Sequence, residues 1–258
     1  MKNKLFMLML VLVIGVLAAC GAKDSKSGAD SGNEGSKKVL VMGTSADYKP
    51  FEFVDSAKGE EIIGYDIDLA HMIGEKLGFD VKIQDMDFNS LVPALQAGKL
   101  DFIISGMSPN EDREKVVDFS ESYNEARQVL VVKKDSGITT SADLAGKTVG
   151  VQTASIQETM AHEMAKTIDF KIESRTRVPE VVQDMMAKRL DAGIIEGAVA
   201  RGYVEQNDQL TMFEVEIQLP DYKAIAVAEG SELKDQINQA LKELTEEGKI
   251  QELEEKWL

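Results

Sequence analysis

From Lys38 onward the chain alternates short apolar runs with amphipathic stretches. Val39 to Met42 reads as a strand, and Val81 to Ile83 as another. Tyr65 to Leu77 carries Ile67, Ala70, Ile73 and Leu77, the spacing of a single helical face. Phe88 to Ala97 follows as a helix, Leu100 to Ser105 as a buried strand, and Val129 to Val132 as a strand. The rhythm then restarts. Ser141 to Leu144 opens a short helix, and Thr148 to Val151 is a strand. Ser155-Ile156-Gln157-Glu158 has the form of a capping box and starts a helix to about Lys166. Phe170 to Ile172 is a strand, Pro179 to Lys188 a helix, Leu190 to Ile195 a strand and Gly197 to Gln206 a helix. Ala224 to Ala228 is a last strand, and Leu233 to Trp257 holds two helical pieces broken near Gly248. This alternation predicts an α/β fold with mostly parallel sheets. The restart near residue 134 predicts two lobes rather than one sheet.

Upstream of this pattern the character changes twice. Residues 21–37 are Gly, Ser, Ala and polar or charged residues with nothing larger and apolar, so they predict a flexible tether. Before them, Lys2 and Lys4 precede an apolar run from Leu5, and Leu17-Ala18-Ala19-Cys20 ends it with small residues. That is the layout of a secretory signal. The run is short of the about 20 residues a spanning helix needs. Its ending resembles the lipobox of bacterial lipoproteins, which implies cleavage after residue 19 and lipidation of Cys20. No second cysteine exists, so no intrachain disulfide can form.

The formal net charge is −16, and loss of Lys2 and Lys4 with the signal makes the remainder more acidic. That excludes a nucleic-acid partner, which calls for clustered Lys and Arg. His71 and His162 lie far apart without ligand spacing, so no metal site is expected, and no nucleotide-binding loop or nucleophile elbow is present.

Ligands of open α/β sheets sit at the carboxyl ends of strands. The loop after the first strand holds Ser45, Asp47, Tyr48, Phe51 and Glu52. After Leu100–Ser105 come Gly106, Met107, Ser108 and then Arg113. After Val151 comes a helix start, Ser155-Ile156-Gln157, of the kind that suits an anion. After Ile195 comes Glu196, a carboxylate that needs a partner if buried. Local sequence leaves alternatives open. Arg113 sits among Glu111, Asp112, Glu114 and Lys115 as a surface ion pair would. Phe51 and Phe53 suit a core, Phe88 a helix staple and Ser155 a cap, while Glu52 reads as solvated in a loop.

GTSADYKPFEF, GYDIDLAHMIGEKLG, MDFNSLVPALQAGKLDFIISGMSPNEDREKVVDFS and ALKELTEEGKIQELEEKW together resemble the polar amino-acid solute-binding proteins of ABC importers. The narrower likeness, carried by GTSADYKPFE, MDFNSL and Ile194-Ile195-Glu196, is to the arginine-binding lipoproteins of Gram-positive bacteria. The resemblance implies a type II periplasmic-binding-protein-like fold. Lobe 1 would hold 38–128 and 224–258, lobe 2 would hold 133–219, and a two-stranded hinge would cross near 128–133 and 219–223. A cofactor-free monomer is implied, held by diacylglyceryl-Cys20 on the outer face of the cytoplasmic membrane beside permease subunits.

The resemblance also implies roles for single residues. Arg113 would take the ligand carboxylate, assisted by backbone N–H groups at Ser108 and Ile156. Glu196 and backbone oxygens around Ser105, Gly106 and Met107 would take the α-ammonium. Tyr48, Phe51 and Phe88 would wall the side-chain pocket, with Asp47 or Glu52 meeting a ligand cation. Many basic-residue binders carry an acid where Ser45 stands. Ser155 and Gln157 complete the expected set. Arginine is the expected ligand, with glutamine, lysine or another polar amino acid as alternatives. A dehydratase using Glu196 as general acid, or a sensor built on the same module, are the competing readings.

Overall fold

The computed structural model describes residues 37–215 and 222–258. Cys20 and the tether therefore lie outside the described residues. The first lobe opens with β1 (Lys38–Thr44), a hairpin-like trio β2 (Asp47–Tyr48), β3 (Glu52–Asp55) and β4 (Glu61–Ile63), then α1 (Tyr65–Leu77) and β5 (Phe79–Asp85). It continues through α2 (Phe88–Gln96), β6 (Phe102–Ile103), α3 (Glu111–Glu114) and β7 (Val117–Glu125). The second lobe comprises β8 (Gln128–Lys133), β9 (Thr148–Gln152), α4 (Ile156–Met164), β10 (Lys171–Arg175), α5 (Val178–Met186), β11 (Ala192–Glu196), α6 (Gly197–Gln206) and β12 (Leu210–Glu214). The chain then returns to the first lobe with β13 (Tyr222–Ala228), α7 (Leu233–Glu246) and α8 (Lys249–Trp257).

Each lobe has a five-stranded sheet, ordered β5-β1-β6-β13-β7 and β10-β9-β11-β8-β12. The arrangement repeats: three parallel strands are followed by two that run antiparallel to their neighbours. The parallel strands are joined through helices, and their apolar runs are buried between helical faces. The expected mostly parallel sheets are thus mixed ones, because each crossing strand enters the far lobe antiparallel.

The crossing itself differs from the expected one. Gln128–Lys133 is a central strand of the second sheet, paired with both β11 and β12, and it is buried along nearly its whole length. The change of sheet falls at Ala126 and Arg127, between β7 and β8. Of the second expected crossing, residues 216–221 lie outside the described residues, and Tyr222 already pairs with Glu125 in the first sheet.

Helix α1 shows why the local pattern works. Ile67, Leu69, Ala70 and Ile73 are buried, and Gly78 ends the helix in the left-handed conformation at φ 77°. Its start is held by the preceding loop: the Tyr65 and Asp66 N–H groups donate to the Pro50 and Phe51 carbonyls. Gly64 makes this possible, since a Cβ there would stand 2.1 Å from the Phe51 oxygen. Trp257 ties α8 back to α1, donating from Nε1 to Asp68 at 2.8 Å. His71 and His162 are exposed. Among the described residues no helix is long and apolar enough to cross a membrane, and no cluster of acids, histidines or cysteines could hold a metal ion.

Candidate functional site

The carboxyl ends of β1, β6, β9 and β11 converge on a narrow cavity between the lobes. Its walls include Ser45, Asp47, Tyr48, Glu52, Phe88, Ser105, Gly106, Ser108 and Arg113 from the first lobe. Gln128, Gln152, Ile156, Gln157 and Glu196 face them from the second.

Arg113 is 8% exposed despite its charged neighbours in sequence. The short α3 turns it inward: the Asn110 side chain accepts from the Arg113 N–H at 2.9 Å and starts the helix. Its guanidinium donates to the Ser108 carbonyl and, across the cleft, to the Ala154 carbonyl at 2.6 Å. The Phe88 ring lies 5.2 Å from the guanidinium carbon, so its π-face supports the cation. Burial lowers the Arg113 pKa to about 10, which leaves it protonated at neutral pH.

Glu196 ends the buried strand β11 and caps α6, its Oε2 accepting from the N–H groups of Ala198 and Val199 at 2.9 and 3.1 Å. Its Oε1 stands 3.5 Å from Nζ of Lys223, a lysine with no exposed surface. Lys223 also donates to Asn124 at 3.1 Å and lies 4.1 Å from the Phe51 ring centroid. The carboxylate is thus partnered as burial demands, but with a cation that local sequence did not single out.

The loop after β1 binds itself and the opposite lobe. The Ser45 hydroxyl donates to Asp47 Oδ1 at 2.8 Å, and Asp47 Oδ2 accepts from the Val178 N–H at the start of α5 at 2.9 Å. Burial raises the Asp47 pKa even so. Tyr48 accepts from Gln157 Nε2 across the cleft at 3.1 Å. Gly106, at φ 50°, passes under the Tyr48 ring, where a Cβ would come within 3.0 Å. Glu52 is 1% exposed, contrary to its expected solvation, and takes the Ser105 hydroxyl at 2.8 Å. Its pKa is held well above the usual carboxylate range, chiefly by burial and then by Asp66.

A further cluster bridges the lobes at the cleft rim. Arg177, just before α5, reaches Asp87 at 3.0 Å, both oxygens of Asp85 at 3.2 and 3.3 Å, and Asp47 at 3.7 Å.

The sequence of residues 40–258 matches the family described as bacterial extracellular solute-binding proteins, family 3. The chain belongs to this family. It is 44% identical over 263 residues to an arginine-binding extracellular protein, ArtP, of Bacillus subtilis, covering 100% of this chain and 98% of that one. Among solved structures, an ancestral arginine-binding protein bound to arginine superposes with a TM-score of 0.80 at 40% identity, covering 86% of this chain and 99% of the other. The same type of ancestral protein bound to glutamine gives 0.78 at 38% identity, with 86% and 98% covered. The fold is the type II periplasmic-binding-protein fold. These relatives are solute-binding proteins, so the chain is a binder and not the dehydratase considered above.

As a family 3 solute-binding protein, the chain brings twelve of the expected residues to the cavity wall. Three are set back from it. Phe51 is wholly buried and stacks beneath the protein's own Lys223 instead of facing the cavity. Met107 packs in the core, and its carbonyl is taken by the Ala224 N–H. The Ser155 hydroxyl is used locally, capping α4 through the Glu158 N–H and donating to the Gln152 carbonyl. Three wall residues were not expected: Ala126, Gln128 and Gln152. The amide side chains lie in strands whose apolar neighbours drew attention away from them.

Proposed function

We propose that this protein binds a basic L-amino acid, arginine foremost, and delivers it to the membrane subunits of an ABC importer. The observation that carries this reading is the charge layout of the cavity: the Arg113 guanidinium shares the wall with carboxyl groups of Asp47, Glu52 and Glu196. A zwitterion with a cationic side chain matches that layout. Its carboxylate would engage Arg113 in the paired geometry that guanidinium groups favour. Its α-ammonium would lie toward Glu196, and its side-chain cation toward Glu52. Asp47 is already satisfied by Ser45 and Val178, which favours Glu52 as the partner of that cation. Phe88 and Tyr48 flank the path between the two ends. The relatives named for arginine, and the neighbour holding arginine, support the assignment.

The same proposal makes the protein an extracytoplasmic monomer held by lipid on Cys20, on the outer face of the cytoplasmic membrane. The small residues before Cys20 and the polar segment after it support this. Calorimetric titration with the twenty amino acids tests the ligand. Arginine should give the tightest binding; a stronger response to glutamine or lysine would reassign the site, and silence throughout the panel would end the proposal. Cys20→Ser should release the protein from membranes without altering ligand affinity.

A further inference from the structure

At the cavity wall, two buried acidic side chains meet: Glu52, which lines the cavity, and Asp66, which lies behind it. Glu52 is 1% exposed and Asp66 0%. Adjacent residues of one loop hold one oxygen of each. The Ser105 hydroxyl donates to Glu52 Oε1 at 2.8 Å, and the Gly106 N–H donates to Asp66 Oδ2 at 2.6 Å. The Tyr123 hydroxyl adds a second bond to Asp66 Oδ2 at 3.0 Å. The other oxygens, Glu52 Oε2 and Asp66 Oδ1, are buried with no donor among the described residues. The two carboxyl groups are close enough for each to act on the other's ionisation.

Two carboxyl groups can hydrogen-bond only through a proton on one of them. A single shared proton satisfies both leftover oxygens at once and removes one of two like charges from a dry site. The surroundings do not supply enough positive charge to replace it. Lys223 is the cation whose charge acts on Asp66, yet it also serves Glu196, Asn124 and the Phe51 ring. The other groups facing the pair are Asp47 and Tyr48 on the cavity side and Tyr123 and Tyr65 behind it, which add no cation. Burial raises the Asp66 pKa too, while Gly106, Tyr123 and Lys223 hold it back; this leaves Glu52 as the main seat of the proton.

We propose that the Glu52–Asp66 pair holds one proton in the ligand-free protein and surrenders it when a cationic ligand side chain settles against Glu52. Binding of a basic amino acid then releases a proton, and binding of a neutral one does not. The inference rests on the assignment of the cavity to a basic amino acid. The proton passes from the carboxyl pair to solvent, and no covalent bond of the ligand changes. Because release accompanies binding, arginine affinity rises with pH wherever the free pair is protonated and the complex is not. One full proton corresponds to about tenfold per pH unit. Affinity for a neutral amino acid stays flat over the same range. The pair thereby grades ligands by side-chain charge, and medium acidity shifts the preference toward neutral ones.

The test is calorimetric titration of the wild-type protein with arginine and with glutamine, at one pH, in two buffers of different ionisation enthalpy. The expected result is a buffer-dependent heat with arginine, equivalent to release approaching one proton, and buffer-independent heat with glutamine. Asp66→Asn should abolish the release while arginine still binds, because its amide can donate to Glu52 in place of the shared proton. Glu52→Gln should also abolish release and weaken arginine more than glutamine. Arginine binding with equal heats in both buffers, or equal release with both ligands, overturns the proton exchange and leaves the ligand assignment standing. Absence of any arginine binding overturns both together.

Discussion

Replacing Arg177 by alanine removes the charged bridge at the cleft rim; Arg177 has no part in the cavity wall and touches it only through its 3.7 Å contact with Asp47. The backbone bond from Val178 to Asp47 and the cap formed by Glu180 on the Arg177 N–H both remain. What is lost is the guanidinium that meets Asp85, Asp87 and Asp47 of the other lobe. The Arg177 side chain is 26% exposed, against 36% for Asp85 and 47% for Asp87, so solvent screens these pairs substantially. Exposed pairs contribute about 0.2–1 kcal/mol each. Three of them near the middle of that range give about 1.5 kcal/mol, close to tenfold in Kd. The contacts exist only when the lobes meet, so the loss should fall mainly on the dissociation rate. Stopped-flow displacement of bound arginine should show dissociation about tenfold faster in the variant at low ionic strength. The difference should shrink toward 1 M salt, where the screening length falls to about 3 Å. Arg177→Lys, which keeps the charge but not the fork, should lie between. Unchanged dissociation at low salt, or a difference that salt does not affect, would refute the bridge.

Arg113→Ala should weaken arginine binding by about 2–5 kcal/mol, the usual cost of removing one partner of a buried charge pair; calorimetry at fixed pH reads it, and unchanged affinity would exclude Arg113 as the carboxylate anchor. Gly64→Ala should destabilise the protein by about 3–5 kcal/mol, because its Cβ would strike the Phe51 carbonyl that holds the start of α1. Urea unfolding measures that loss. The ligand-free wild type should lose stability as pH rises above about 4.3, where unfolded glutamate ionises, since the folded Glu52–Asp66 pair keeps a proton that the unfolded chain has lost. Thermal unfolding should show a shallower pH slope for Glu52→Gln over that range; equal slopes would count against the shared proton.

The α/β alternation was legible because helices such as α1 and strands such as β9 each bury a face whose period is visible locally. The β2–β4 trio was not. Its strands are very short, and aromatics and acids interleave through Tyr48, Phe51 and Glu52, so the stretch reads as a loop. Strand β7 was missed too, although Val117, Phe119 and Tyr123 alternate with polar positions along it. At the site, residues just past strand ends were found by the rule that ligands gather there. Lys223 and the burial of Glu52 were not found, because the groups that partner them, Asn124, Glu196, Ser105 and Asp66, come from distant segments. A lysine heading the apolar run Ala224–Ala228 was the one local hint.

Strand β13 lies between β6 and β7, although the whole second lobe separates it from them along the chain. During synthesis, the second lobe has every strand it needs once β12 has emerged. The first lobe still has a gap in the middle of its sheet at that moment, and its α1 still lacks the α7 and α8 packing that follows β13. A growing chain therefore carries a finished lobe on an unfinished one. The pocket takes its walls from both lobes, so its first-lobe side is backed by a complete sheet only after β13 has filled that gap.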